Sequence, residues 1–414
     1  MIGMLSSLWW TTTLPWITAL IVAATIGGIA VGRWPVLRAD RTTITLLGSA
    51  LLLAIGALSL EEAFAGLDLE TILLLFSMMV LNACLFLAGF FRLIGTRIVQ
   101  LARSPRTLLA VVVLAGGVLS ALFLNDTVVL MFTPVVLETT LALRRNPVPY
   151  LLALALSANV GSTATITGNP QNMIIGSLSQ IPYGQFALAL APTALIGLGI
   201  CWLVIVLVYR DEFGRARLEL PPGERVRVFR PLLLKTALVV GLMLAAFLVG
   251  VPVPLAAFLA AAAMLATRRL RPERIYKLID WSLLVFFAGL FVVTHSLETQ
   301  GLADQLFALL APLANSGLVP FGLIAVVLSN LISNVPAVLL LQGLVPAFAD
   351  QERAWLMLAA ASTLAGNLTL VGSVANLIVA ELALRWGVRI TFRAYLRVGV
   401  PVTVLTLLVA FLLV

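Results

Sequence analysis

Charge is what this sequence has least of. Acidic and basic residues together fill 11% of 414 positions, less than half the share of an ordinary soluble protein. Histidine occurs once, at His295, and cysteine twice, at Cys84 and Cys201, each cysteine inside an apolar stretch. Those absences argue against a disulfide framework and a thiolate metal site. They also argue against a membrane enzyme, which would need a nucleophile–base or metal constellation. The phosphate-cradling pattern Gly-x-x-x-x-Gly-Lys-Ser/Thr does not occur, so ATP-driven pumping would require a separate ATPase subunit. What fills the space is apolar: 61% of residues are hydrophobic, more than one soluble core can cover. The chain reads as a polytopic membrane protein embedded in lipid.

A helix needs about 20 apolar residues to cross the hydrocarbon. Segments that qualify, or nearly so, run over 13–32, 43–60, 71–91, 107–124, 126–143, 150–176, 186–209, 232–250, 254–267, 281–297, 318–346, 355–380 and 398–414. The start lacks a basic leader region, so 13–32 is kept as the first span rather than a signal peptide. Basic residues follow alternate spans: Arg33 to Arg41, Arg92 to Arg106, Arg144 and Arg145, Arg210 to Lys235, Arg268 to Lys277, and Arg385 to Arg397. Assigning those loops to the cytoplasm places 25 of the 26 basic residues inside, with Arg353 alone outside. The positive-inside rule then predicts a multi-pass protein of the inner or plasma membrane with both termini extracytoplasmic. The net charge of +8 becomes a consequence of topology, and no nucleic-acid partner is needed. The segments near 107–142 and 306–349 must each return to the face they left, as paired spans or as re-entrant hairpins.

The chain also repeats itself at offsets of about half its length. Leu119-Ser120 and Asn125 match Leu328-Ser329 and Asn334. Thr165, Gly168, Asn172 and Ile174 match Thr369, Gly372, Asn376 and Ile378. An odd number of crossings separates the two copies, so the second is upside down. Inverted repeats with interrupted helices are a mark of secondary transporters, whose solute site lies near the membrane midplane. The predicted organisation is a first repeat over 1–215, a cytoplasmic linker over 216–230 and a second repeat over 231–414.

Four polar clusters interrupt the apolar segments: Asn125-Asp126-Thr127; Ser157 to Asn172; Ser329 to Pro336; and Ser362 to Asn376. Glycine and proline at this density break helices, and freed backbone groups survive in a membrane only around a protein-lined or hydrated cavity. Small residues also serve helix packing, but four clusters paired by a repeat point to a site. The hydroxyls and amides suit an oxyanion, a dehydrated cation or a neutral hydroxylated solute. Asp126 is the sharpest single residue, an acid near the middle of a hydrophobic hairpin, where an ionised side chain costs several kcal/mol. With no Lys or Arg at matching depth, proton or cation coupling is favoured. Glu138 reads as an interfacial ion-pair partner of Arg144 and Arg145. Glu298 and Glu381 read as solvated residues near opposite interfaces, and His295, near the outer interface, as incidental rather than a proton relay.

At these clusters the sequence resembles the ion transporter superfamily, closest to the group of arsenite permeases, sodium/proton antiporters of that type, and citrate–metal and other anion permeases. Asn125-Asp126-Thr127 with Thr133-Pro134 resembles the hairpin motif of the arsenite permease branch. Gly168-Asn169-Pro170-Gln171-Asn172 and Gly366 to Asn376 resemble the two unwound-helix motifs. Ser333-Asn334 retains only part of the Ser-Asn-Thr tip of the dicarboxylate branch. The resemblance implies an all-α fold of two inverted repeats, each with three spans, a re-entrant hairpin (107–143 and 306–349), a broken helix (150–176 and 355–380) and a final span. It also implies a homodimer with elevator-like movement. The expected function is ion-coupled transport without a bound cofactor, driven by a proton or sodium gradient. Arsenite or antimonite efflux in exchange for protons leads, with a sodium/proton antiporter or a sodium-coupled anion permease as alternatives. The expected solute-binding residues are Asn125, Thr127, Asn159, Ser162, Thr163, Thr165, Asn169, Asn172, Ser333, Asn334, Asn367, Thr369, Ser373 and Asn376, with Asp126 binding the coupling ion.

Overall fold

The computed structural model describes residues 2–31, 33–34, 39–214, 228–266, 271–303, 305, 307–308, 312 and 317–414. The fold is all-helical apart from a two-residue antiparallel ladder, in which Arg33 pairs with Asp40 and Trp34 with Ala39. Most of the predicted 216–230 linker, Arg38, Arg268, Arg269 and the start of the 306–349 segment lie outside the described residues.

Three helices open the chain: α1 (Ile2–Val31), α2 (Arg41–Ala54) and the short α3 (Leu60–Ala65). α4 (Leu69–Ala88) and α5 (Phe90–Leu101) follow. α6 (Pro105–Leu122) and α7 (Asn125–Ala142) form a hairpin that turns at Phe123-Leu124. α8 (Pro147–Ser162) and α9 (Pro170–Ser179) are two halves of one interrupted path, joined through a 3-10 turn at Ile166–Gly168. α10 (Tyr183–Val208) closes this half. In the remainder, α11 (Arg230–Leu248), α12 (Val253–Leu265), α13 (Pro272–Tyr276) and α14 (Trp281–Thr299) precede a second hairpin, α15 (Leu318–Ile332) and α16 (Asn334–Leu341). A second interrupted path, α17 (Gln351–Ala365) and α18 (Val374–Arg385), leads to α19 (Phe392–Leu413). Seven described helices are long and apolar enough to cross a membrane.

Local chemistry sets the helix ends. Side-chain oxygens of Asp40, Asp68, Ser104, Asn169, Asp280, Asp350, Ser373 and Thr391 accept backbone N–H groups of the helices they precede. Each such cap supplies a partner to a donor the helix cannot satisfy itself. α2 stops at Ala54, short of the predicted 43–60, and Gly56 beyond it takes φ 71°. The second hairpin turns at Ser333 with φ 82° and ψ 157°. For a residue with a side chain that conformation costs about 1–3 kcal/mol and concentrates at functional sites.

The molecule is built around α8. Residues 149–175 are buried without a break, the polar ones among them included. α6 lies against α8 at glycine contacts. A Cβ on Gly161 would sit 2.1 Å from the Gly117 carbonyl oxygen, and one on Gly116 would sit 2.7 Å from Ser157 Oγ. The outer helices turn leucines outward instead, with Leu188 of α10 80% exposed and Leu412 of α19 83% exposed, as lipid contact requires.

The ion pairs differ from the sequence expectation. Arg145 reaches across to Glu212, 2.7 Å away, rather than to Glu138, which is exposed. Tyr150 Oη donates to the same carboxylate at 3.2 Å. A partner with fixed geometry and a neighbouring hydroxyl holds Arg145 better than an exposed acid on α7. His295 and Glu298 are not solely solvated but pair at 3.0 Å, and Glu381 pairs with Arg385 at 2.9 Å.

The Gly161–Gly117 contact gives a sharp test. Gly161→Ala forces backbone apart and is expected to lower stability by about 1–3 kcal/mol. Gly199→Ala, with nothing within 4 Å of the new methyl, should stay within about 0.5 kcal/mol. Thermal unfolding of the detergent-solubilised protein separates the two, and equal melting of both variants would contradict this packing.

Candidate solute site

The helix interruptions are held by asparagines. Proline cannot continue α8 through residue 170, so α9 begins there, with Asn169 Oδ1 accepting the Asn172 N–H at 2.9 Å. Asn172 Nδ2 then donates to the carbonyls left open by the break, Ser162 O at 3.1 Å and Thr165 O at 3.0 Å. The arrangement recurs 204 residues later. Asn376 Nδ2 donates to Gly366 O at 2.8 Å and Thr369 O at 3.2 Å. An unmade bond to a buried carbonyl costs about 1–3 kcal/mol, so each asparagine keeps a break open at low energy.

Asn159 joins the two interruptions to the first hairpin. Its Nδ2 donates to Asn367 Oδ1 at 2.9 Å and Asn376 Oδ1 at 3.2 Å. Its Oδ1 accepts from Asn125 Nδ2 and from Ser373 Oγ, both at 3.1 Å. Thr363 provides a second junction, accepting from Asn169 Nδ2 and Gln171 Nε2 at 3.2 Å each and donating to Asn172 Oδ1 at 3.3 Å.

Beside this network lies a cavity of about 290 Å³. Its lining includes Asn125 and Asp126 from the first turn of α7, Pro170 and Gln171 from α9, Ser333 and Asn334 at the start of α16, and Ser373 and Val374 at the start of α18. Four helix N-termini therefore meet at one space, each carrying roughly half a positive charge. Asp126 stands among them, with its own N–H donating to Asn125 Oδ1 at 2.9 Å. The opposite wall is formed by the first turns of α2 and α14, with Asp40, Arg41, Thr42, Asp280 and Ser282, and by Phe286 and Phe287. The cavity thus runs from the hairpin tips to the first turns of α2 and α14.

The expected site residues divide into two groups. Asn125, Asp126, Ser333, Asn334 and Ser373 line the cavity. Asn159, Ser162, Thr163, Asn169, Asn172, Asn367 and Asn376 are buried and engaged in the network. Thr165 Oγ1 donates to Ala121 O at the first hairpin. Thr369 offers its carbonyl to Asn376, and half-buried Thr127 lies next to the lining without entering it.

One expectation is overturned. The sequence places no Arg or Lys at the depth of Asp126, yet Arg41 lines the same cavity, near enough for the charges of Arg41, Asp126 and Asp280 to act on one another. Gln171, Thr42, Asp280 and Ser282 are also lining residues that the sequence reading did not select. A shared Asp-x-Thr/Ser start, Asp40-Arg41-Thr42 and Asp280-Trp281-Ser282, is the signal that could have found the second wall. Among the described residues no group of three or more His, Cys, Asp or Glu is placed to hold a metal ion.

Half-helices meeting over a cavity that mixes polar and apolar lining, inside an apolar helical bundle, define a secondary transporter rather than an enzyme. The chain belongs to the citrate transporter family (CitMHS), whose family model matches residues 19–365. It is 34% identical to the silicon efflux transporter LSI3 of Oryza sativa subsp. japonica, over 85% of this chain and 87% of that protein. It is 24% identical to a Dictyostelium discoideum protein named arsB, over 96% of this chain and 91% of the relative. The Alcanivorax borkumensis YdaH transporter shares the fold, with a TM-score of 0.56 and 15% identity over 98% of this chain and 97% of that one.

The asparagine caps generate a prediction. Asn172→Leu and Asn376→Leu each leave buried carbonyls without donors and should lower stability by about 2–4 kcal/mol, read as the shift in thermal unfolding. Wild-type melting of both would mean that the breaks do not depend on these amides.

Proposed function

We propose that the protein exports a small oxyacid, arsenite or antimonite being the first candidates, in exchange for protons, with the solute held in the cavity between the four half-helix ends. The observation that carries this reading is the convergence of those N-termini on a space containing a single membrane-embedded acid from the hairpin tips, Asp126. The positive helix ends attract oxygen atoms bearing negative charge. The Asp126 carboxylate accepts either a solute hydroxyl or a proton, and two ligands that compete for one carboxylate exchange for each other. Silicic acid, suggested by the name of the rice relative, is a hydroxylated oxyacid of the same kind. The transporter then works from a proton gradient with no resident cofactor.

The mechanical part of the proposal is an inverted-repeat elevator, with 1–215 and 231–414 as the two halves around the 216–230 linker. Its support is the recurrence of the asparagine-capped break at a constant 204-residue offset and the pairing of each break with a hairpin. The hairpins and broken helices carry the solute past the wall made by α2 and α14. A homodimer in the cytoplasmic membrane, with both termini outside, completes the reading, and the basic loops face the cytoplasm.

A sodium-coupled permease for citrate or another anion is the second reading. Buried Asn330 Oδ1 and Asn334 Oδ1, beside the second hairpin tip, have no hydrogen-bond partner among the described residues. Carbonyl oxygens so placed suit a hard cation.

The test is arsenite accumulation in inside-out vesicles, with and without an acidic lumen. Wild-type vesicles should accumulate arsenite only with the gradient, and Asp126→Asn should fall to the level of vesicles lacking the protein while expressing normally. Gradient-driven accumulation at wild-type level in Asp126→Asn would remove Asp126 from the coupling role. Sodium-stimulated citrate uptake would select the second reading.

A further inference from the structure

The wall opposite the half-helices has its own chemistry. α2 and α14 run side by side in one direction, fixed by Thr42 Oγ1 donating to Ser282 O at 3.1 Å and Ser49 Oγ donating to Gly289 O at 3.0 Å. That registry puts the first turns of both helices at the same level of the cavity. Asp40 and Asp280 are the N-caps of these helices. Asp40 Oδ1 accepts from the Thr43 N–H at 2.8 Å, and Asp280 Oδ1 accepts from the Leu283 N–H at 3.0 Å. Each acid therefore offsets the positive end it caps.

Arg41 is different. It is half-buried, it lines the cavity, and its guanidinium makes no hydrogen bond to a described residue. A guanidinium carries five donors in a planar fork matched to carboxylate and oxyanion geometry. The charges around the cavity are Arg41, Asp126, Asp40 and Asp280 and the ends of α2, α7, α9, α14, α16 and α18. Arg41 and Asp126 cancel, Asp40 and Asp280 outweigh the half-charges of the two ends they cap by about one unit together, and the other four helix ends at roughly half a charge each leave the space about one unit positive. A space of that sign takes an anion, and Arg41 is the one full cation lining it among the described residues.

We propose that Arg41 is a solute-positioning residue, holding an anionic oxygen of the solute against the half-helix N-termini, so that the transported species is bound as an oxyanion. This rests on the reading that the solute occupies this cavity. It goes further by fixing the charge state of the solute and by assigning a binding role to α2, outside the hairpin and broken-helix motifs. The shared chemistry is a negatively charged oxygen, and its source is a deprotonated inorganic oxyacid or a carboxylate.

The experiment uses the full-length protein in detergent, as wild type, Arg41→Lys and Arg41→Gln. Thermal unfolding is followed against increasing sodium arsenite and sodium silicate, at a pH where each acid is ionised, and against sodium citrate, with sodium chloride as the ionic-strength control. The expected result is that one of these anions stabilises wild type and Arg41→Lys, while Arg41→Gln needs at least about tenfold more of it for half the effect, the size of a lost charge-assisted bond. Stabilisation by arsenite or silicate identifies an inorganic oxyanion, and by citrate a carboxylate. Equal half-saturation in wild type and Arg41→Gln overturns the proposal. So does failure of all three anions to stabilise the wild type. No gradient enters this measurement, so proton coupling through Asp126 stands or falls separately in the vesicle assay.

Discussion

The interaction on which the structure depends is the amide of Asn159. It is buried to 2% exposure inside a bundle of apolar helices, where a polar group without partners is expensive. Four bonds satisfy it, and their partners come from the first hairpin and the second helix interruption. The second interruption lies more than 200 residues away in sequence. One side chain therefore ties Asn125, Asn367, Ser373 and Asn376 together and brings the ends of α7 and α18 to a common point. In the low dielectric of the membrane interior such a fully connected network is rigid, and a cavity beside it keeps its shape.

The same economy explains why the helices break where they do. An interrupted helix exposes carbonyls and N–H groups that lipid cannot satisfy. Asn172 and Asn376 take up the carbonyls, and Asn169 and Ser373 take up N–H groups of the following half-helices. The donors not taken up point at the cavity as a positive field. The breaks are thus stabilised on one side and chemically active on the other, and hydroxyls that look like ligands in the sequence mostly belong to the stabilising side. Ser333 marks the remaining strain, held at a backbone conformation normally reserved for glycine at the tip of the second hairpin.

Much of this was legible beforehand. Low charge and long apolar runs gave an all-helical membrane protein, and polar clusters with Gly168, Pro170, Gly366 and Gly372 marked the interruptions, because helix breaking is a local property of the chain. What proximity does to a side chain was not legible. Asn159, Asn169 and Asn172 carry the same sequence signal as Asn125, yet they stay within the network while Asn125 both joins it and reaches the cavity. Arg41 was read as one more cytoplasmic arginine, because its position opposite Asp126 follows from the packing of α2 on α14, some 240 residues apart in sequence. Glu138 was assigned to Arg144 and Arg145, whereas the fold offers Arg145 the carboxylate of Glu212.

The central claim is that solute sits where the four half-helix ends meet. It is tested most directly by cysteine protection, with Cys84 and Cys201 replaced by alanine and Ser373→Cys or Asn334→Cys introduced singly. Labelling by a small membrane-impermeant thiol reagent, followed in the presence and absence of the transported solute, should be slowed severalfold at both positions. It should be unchanged at Ser177→Cys, near the far end of α9. Equal labelling with and without solute at Ser373→Cys and Asn334→Cys would place the solute elsewhere and contradict the account.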